Sequence, residues 1–217
     1  MTILKKIASL GLDLLSALLA LVTSLRLLRI KNRIVDRAFS RVVKRSLAEA
    51  GDGFFLMYPA DILGEKYIRV GKNFSAFGRL RLEAYGRHLG HEYQPSIVIG
   101  DDVSINYDCH IGCVNRIVIG NNVLMASKIF ITDHMHGEAT AEALKTPPSA
   151  RKVVSPGPVV IGDNVWIGEG VAIMPNVTIG RNAIIGANAV VTTSIPENAV
   201  AVGVPARVIR VLGQGGP

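Results

Sequence analysis

An aliphatic residue returns every six positions along this chain: Ile99, Ile105, Ile111; Ile119, Met125, Ile131; then Ile161, Ile167, Ile173, Ile179, Ile185, Val191. Ten of these twelve are isoleucine, and glycine follows directly at seven, Gly100, Gly112, Gly120, Gly162, Gly168, Gly180 and Gly186. Most are followed four positions later by another small or branched apolar residue (Val103, Cys109, Val123, Val165, Val171, Val177, Ala183, Ala189), and weaker copies begin at Val70, Ala76 and Leu82. A step of six walks around an α-helix of about 3.6 residues per turn, so the pattern excludes a helix. It suits short, flat strands of β-branched residues, each turning one aliphatic inward and ending at a corner. Glycine and the pairs Asp101–Asp102, Asn121–Asn122, Asp163–Asn164 and Arg181–Asn182 are the residues that adopt positive φ at such corners with least steric cost. No single segment can bury its own face, so successive coils must stack.

The 217 residues accommodate one sizeable domain and an appendage. Residues 1–50 carry ten Lys or Arg against three acids, which accounts for the whole net charge of +7 and leaves the remainder balanced. A nucleic-acid binder would carry its basic stripe on the folded face, interleaved with stacking aromatics, and that pattern is absent. The arm opens with an apolar stretch from Ile7 to Leu25, interrupted by Asp13 and flanked by Lys5–Lys6 and by Arg26, Arg29, Lys31 and Arg33. It predicts a helix, followed by a second, basic helix over Arg33–Ala48 and a break at Gly51–Asp52–Gly53. Asp13 in a bilayer interior would cost about 2.5–3.5 kcal/mol, which favours a helix lying on an anionic leaflet over a spanning one; packing against sister helices is the second reading, and a true span or a cleaved signal peptide the third. The expected organisation is an arm over 1–50, lead-in coils and a loop over 51–96, the repeats over 97–210 and a tail over 211–217. From Gly137 to Pro158 the rhythm is lost, as in functional excursions from regular folds. Cys109 and Cys113 lie four apart without further partners, so they imply neither a disulfide framework nor a zinc knuckle and read as buried small hydrophobes in a reducing compartment.

The repeat, with the run SINYDCHIGCVNRIVIGNNVLMASKIFITDHMHG, resembles the hexapeptide-repeat acyltransferases over about residues 60–210, and within them the acetyltransferases of lipopolysaccharide, capsule and exopolysaccharide biosynthesis. The resemblance implies a mainly β chain, a left-handed parallel β-helix, assembled as a homotrimer with active sites in clefts between neighbouring prisms. It also implies transfer of acetyl from acetyl-CoA to a saccharide hydroxyl, with no metal. Together with the basic arm, it implies a cytoplasmic enzyme peripheral to the inner face of the membrane, with residues 1–35 as the attachment and a lipid-linked saccharide as acceptor.

That chemistry needs a base for the acceptor hydroxyl, a donor to the tetrahedral oxyanion and a grip on CoA. Histidine suits the first task near neutral pH. His134 and His136 stand where the repeat stops, and His134 matches the general base of the galactoside and maltose acetyltransferases. His88 and His91 read as solvated loop residues, and His110 as a packing or polar surface position. Asn106 matches an asparagine close to the reacting groups in those enzymes. Their sugar-binding aspartate has no counterpart, since Cys113 and Val114 occupy that region, and Tyr107 and Asp108 are the candidate replacements; His136 is a candidate substrate or CoA contact, and the resemblance implies that Trp166 walls the cleft on the substrate. Asp133 is placed with them, because neighbours in extended chain point to opposite faces and would not meet behind the His134 ring. For CoA, the resemblance implies Trp166, Gly168, Gly186, Ala187, Thr192 and Thr193, with Arg207 and Arg210 meeting phosphates.

Two other functions use the same pattern. A non-catalytic binding platform would need neither the lone histidine cluster nor the CoA-type tail. A metalloenzyme similar to the γ-class carbonic anhydrases would need three histidines on one zinc; His110, His134 and His136 are the available trio, at a spacing unlike that family's.

Overall fold

In the computed structural model, which describes residues 3–213, the chain is mainly β with two N-terminal helices, α1 (Ile3–Val22) and α2 (Leu25–Ser46). The break between them falls at Thr23–Ser24, earlier than the apolar run suggests, because the Ser24 hydroxyl accepts the Leu27 N–H at 3.3 Å and starts a new helix. Arg26, Arg29 and Lys31 therefore belong to the second helix. Lys44 and Arg45 sit in its last turn, where cations complement the helix dipole. α1 is exposed from Lys5 to Leu21. No single helix among the described residues is long and apolar enough to cross a membrane; α1 and α2 meet at a bend of 101°. α2 is fastened to the body by two buried polar side chains. Ser40 accepts the Leu56 N–H at 2.8 Å, and Asp36 accepts the Tyr58 N–H at 3.0 Å.

Beyond the helices, the chain visits three sheets of six, eight and six strands in rotation, parallel except for the antiparallel pair Ala199–Val202 and Arg207–Val211 that ends the second. The first contains Ser96–Ile99, Arg116–Ile119, Val159–Ile161 and Thr178–Ile179; the second Ser104–Ile105, Leu124–Met125, Trp166–Ile167 and Ile184–Ile185; the third Arg81–Ala84, His110–Cys113, Phe130–Thr132, Ala172–Ile173 and Val190–Val191. Each turn of chain lays its repeat aliphatics on those of the turn before. Ile99, Ile119, Ile161 and Ile179 form one column, Ile105, Met125, Ile167 and Ile185 a second, and Ile111, Ile131, Ile173 and Val191 a third. All twelve are at most 2% exposed. Stacking starts at Glu49–Ala50, which pairs with Ile68–Val70, so the sheets already run through 51–96. Residues 214–217 of the expected tail lie outside the described residues.

The corners divide labour differently from the expectation. The second residue of each polar pair takes the positive φ: Asp102 at 57°, Asn122 at 54°, Asn164 at 57° and Asn182 at 57°. The repeat glycines do not. They are there because the next turn lies against them: a Cβ at Gly120 would stand 2.8 Å from the Asp163 nitrogen, and one at Gly162 2.7 Å from the Arg181 nitrogen. The polar pairs also link the turns into ladders, as in Asp101 N–H to Asn121 Oδ1 at 2.8 Å and Asn182 Nδ2 to Asn198 Oδ1 at 2.7 Å.

Candidate active site

On the third sheet, alternation turns Ile111 and Ile131 inward and sends their neighbours outward. The register pairs His110 with Arg81 and Phe130, and Gly112 with Glu83 and Thr132. Arg81, His110, Gly112, Phe130 and Thr132 floor a cavity of about 480 Å³, walled by Tyr85, His88, His134, His136, Val153 and Met174 among others. His88, His136 and Val153 belong to two antiparallel ribbons, Arg87–His88 with His91–Glu92, and Met135–His136 with Val153–Val154 at the base of the excursion. Tyr93 ties them together by donating its hydroxyl to the Val153 carbonyl at 2.9 Å.

His134 is held from behind. Its Nδ1 lies 3.0 Å from Asp133 Oδ1, and the Thr132 hydroxyl grips the His134 backbone at both its N–H and its carbonyl, each at 3.2 Å. Asp133 is fully buried. It accepts the Val114 N–H at 2.9 Å, the Asn115 N–H at 2.8 Å and the Cys113 thiol at 3.1 Å. Burial alone would push this carboxyl up, but the hydrogen bonds from His134, Val114, Asn115 and Cys113 outweigh it and hold it below its ordinary value. An ionised carboxylate only accepts, so in neutral His134 the proton sits on Nδ1 and the lone pair on Nε2. The expectation that Asp133 contacts an acceptor and misses the ring is corrected: regular alternation ends with the strand at Thr132, and the bend lets the two side chains meet.

Two further histidines line the cavity. His110, read as a packing or polar surface position, lies 2.7 Å from Glu83 Oε2. Burial and Arg81 hold it below its usual value against the pull of Glu83. Glu83 would be raised by burial, but hydrogen bonds from Tyr85, Arg81 and His110 bring it below its ordinary value. Tyr85, raised to about 12 by burial and by Glu83, is neutral and packs edge-on to His134 at 6.1 Å. His88, read as a solvated loop residue, is half-buried, with its Nε2 buried and unpartnered among the described residues. His136 packs against it at 6.0 Å. The two cysteines are buried; burial pushes the Cys109 thiol up to about 11 and raises Cys113 as well, so neither is an activated nucleophile. Among the described residues, no three His, Cys, Asp or Glu side chains are grouped to hold a metal ion.

The other assigned residues lie outside this cavity. Asn106, Tyr107 and Asp108 form the corner between the second and third sheets. Asp108 pairs with Arg79 at 2.7 Å, and Tyr107 packs on Phe77 at 5.3 Å. Trp166 is 52% exposed on the second sheet, in register with Leu124 and Ile184. Gly168 and Gly186 face the next turn closely, with a Cβ at Gly168 reaching 2.6 Å from the Ala187 nitrogen and one at Gly186 2.7 Å from Val202 Cγ1. Thr192, Thr193, Arg207 and Arg210 are exposed at the last turns. Sequence reasoning missed Arg81, Glu83 and Tyr85, although a signal existed: the residue after Leu82 in the weak copy occupies the same outward position as Gly112 and Thr132.

A family profile described as "Bacterial transferase hexapeptide (six repeats)" matches residues 158–193. WbbJ of Escherichia coli (strain K12), described provisionally as a lipopolysaccharide biosynthesis O-acetyl transferase, is 39% identical over 158 residues, covering 71% of this chain and 77% of its own. A galactoside acetyltransferase solved with coenzyme A is 31% identical, with a TM-score of 0.51 over 80% of this chain and 69% of that one. The N-acyltransferase AntD of Bacillus cereus, solved with dTDP-4-amino-4,6-dideoxyglucose and coenzyme A, shares the fold with a TM-score of 0.66 at 23% identity, over 79% of this chain and 87% of that one.

Proposed function

Because the chain belongs to the hexapeptide-repeat acetyltransferases, we propose that it moves acetyl from acetyl-CoA to a hydroxyl of a saccharide in surface polysaccharide biosynthesis, with His134 as the base. One observation carries the assignment of the base: an imidazole that lines a cavity and is backed at Nδ1 by a buried carboxylate.

The acceptor oxygen attacks the thioester carbonyl as its proton passes to His134 Nε2. Asp133, its carboxylate saturated by four hydrogen-bond donors, keeps the ring in the right tautomer and stabilises the imidazolium. When the tetrahedral intermediate collapses, the C–S bond breaks and Nε2 returns the proton to the departing thiolate. No acyl-enzyme forms.

The rotation through three sheets and the six-residue period support the finer assignment of a left-handed parallel β-helix. A homotrimer explains why the candidate residues are split between faces: Asn106, Tyr107, Asp108 and Trp166 meet His134 only across a cleft between copies. There Asn106 donates to the oxyanion, and Trp166, Gly168, Gly186, Ala187, Thr192 and Thr193 line the CoA arm, with Arg207 and Arg210 on its phosphates. The exposed apolar α1 and basic α2 support attachment to an anionic cytoplasmic leaflet, beside a lipid-linked acceptor.

His134→Ala tests the base directly. Release of CoA thiol in the presence of acceptor should fall about 10²–10⁴-fold while acetyl-CoA binding, read by calorimetry, stays. Normal turnover by a correctly assembled variant overturns the assignment.

A further inference from the structure

The strands of the third sheet run parallel, so their two ends gather different residues. His134 and the two ribbons follow the C-terminal ends of Arg81–Ala84 and Phe130–Thr132. At the N-terminal ends lies a second cavity, of about 420 Å³, lined by Asp61, Arg79, Arg81, Asp108 and His110 among others. It shares Arg81 and His110 with the cavity at His134. Register explains the sharing: Asp61, Arg81 and His110 are paired positions on three adjacent strands, and the last two form a sill that both cavities touch.

The second cavity suits a neutral, hydroxylated group. Its charges balance, with the guanidinium groups of Arg79 and Arg81 against the carboxylates of Asp61 and Asp108. Arg79 is already paired with Asp108 at 2.7 Å, and Arg81 with Glu83 at 3.0 Å, so a phosphate would find no unpaired cation. No large apolar side chain lines it, which leaves a lipid tail nothing to pack on. Carboxylates accept hydrogen bonds and guanidinium groups donate them, and the hydroxyls of a sugar do both. From His110 to Cys113 the strand runs about 10 Å, so a saccharide with its reacting hydroxyl at His134 carries its next unit over the sill. We propose that the second cavity is an acceptor subsite for the sugar unit next to the one acetylated, with the exposed carboxylate of Asp61 as a specificity-determining group. The acceptor is then a chain of at least two sugar units, not a single sugar. The inference deepens the proposed function and rests on it.

The test uses the purified full chain with acetyl-CoA. The acceptors are one-, two- and three-unit fragments, obtained by partial acid hydrolysis of the de-O-acetylated surface polysaccharide of the source strain. Release of CoA thiol gives kcat/KM for each fragment. It should rise at least about tenfold from one unit to two, the worth of one hydrogen bond to a charged group, and little from two to three. Asp61→Ala removes the carboxylate, and Asp61→Trp also fills the cavity. Both should bring the two-unit value down toward the one-unit value, Asp61→Trp the further, with KM for acetyl-CoA kept. Equal wild-type values on one and two units, or an undiminished rise in Asp61→Trp, with turnover lost in His134→Ala, overturn this inference and leave the proposed function standing. Normal turnover in His134→Ala, or no acetylation of any fragment by the wild type, overturns the proposed function and the inference together.

Discussion

The interior of the stacked turns and the mouth of the excursion at residue 134 solve burial in opposite ways. In the turns the inward positions are aliphatic, repeated and nearly dry, with Ile105, Ile111, Ile131, Ile167 and Ile173 all at 0% exposure. At the mouth the chain buries charge instead. Of the five buried polar or charged residues among those described, Thr132 lines the cavity, Glu83 and Asp133 hold its histidines, and the other two, Asp36 and Ser40, fasten α2. The turns are stabilised by sums of small neighbour contacts, so each position is replaceable at a local cost. The mouth is a connected network in which removing one partner strands another. The difference teaches where stability and chemistry separate in this molecule.

Ile111→Ala bears on that separation most heavily. It should cost about 2–5 kcal/mol of stability, read as a lowered denaturation midpoint, while turnover per folded molecule is kept. A loss of turnover out of proportion to unfolding would show that the core and the site are one unit.

Asp133→Asn comes next. The amide presents an NH₂ group to donors that need an acceptor, which should cost about 1–3 kcal/mol and reduce turnover by loosening His134. The pH sign follows from the depressed carboxyl: its contribution to stability is complete above the ordinary carboxylate value of 3.8 and is lost as pH falls through the lower folded value. Acid titration of stability should therefore show a limb in the wild type that is missing in the Asn variant. Identical acid limbs would mean that Asp133 is not the buried charge described.

Gly112→Ala is the mildest change and the sharpest. The new Cβ meets the His134 ring at 3.3 Å, tighter than an ordinary contact, so the ring must give way. Turnover should fall about tenfold, as a small misplacement of a reacting group costs, with the denaturation midpoint nearly unchanged. A midpoint shift comparable to that of Ile111→Ala would erase the distinction between the two regions.

Much of the fold was legible because its determinants are local. The six-residue period named the inward column of every turn, and the Asx residues at 102, 122, 164 and 182 marked the positive-φ corners. The role of the glycines was not legible. Their necessity arises from the backbone of another turn, as at Gly162 against Arg181, and the sequence carries no mark of which turn that is. The helix break was missed for a related reason: the Ser24 cap depends on a turn that apolar content does not reveal.

For the site, the place of His134 was readable as a histidine where periodicity fails. Its partner was not. The rule that neighbours point apart holds for an extended strand, and it ceased to apply at Asp133 because the strand ends one residue earlier. Glu83 lies 27 residues before His110 and met it only through strand register.

By itself, then, the order of residues determined a period, and with it a stack of short strands, the identity of the core and the point where regularity is interrupted. These follow from side-chain size and backbone preference acting over a few positions. Only the tertiary structure decided which polar groups share a cavity, which carboxylate stands behind each imidazole and which nitrogen is left free. Those relations join strands that are distant in sequence, and their energies depend on burial that no local pattern encodes.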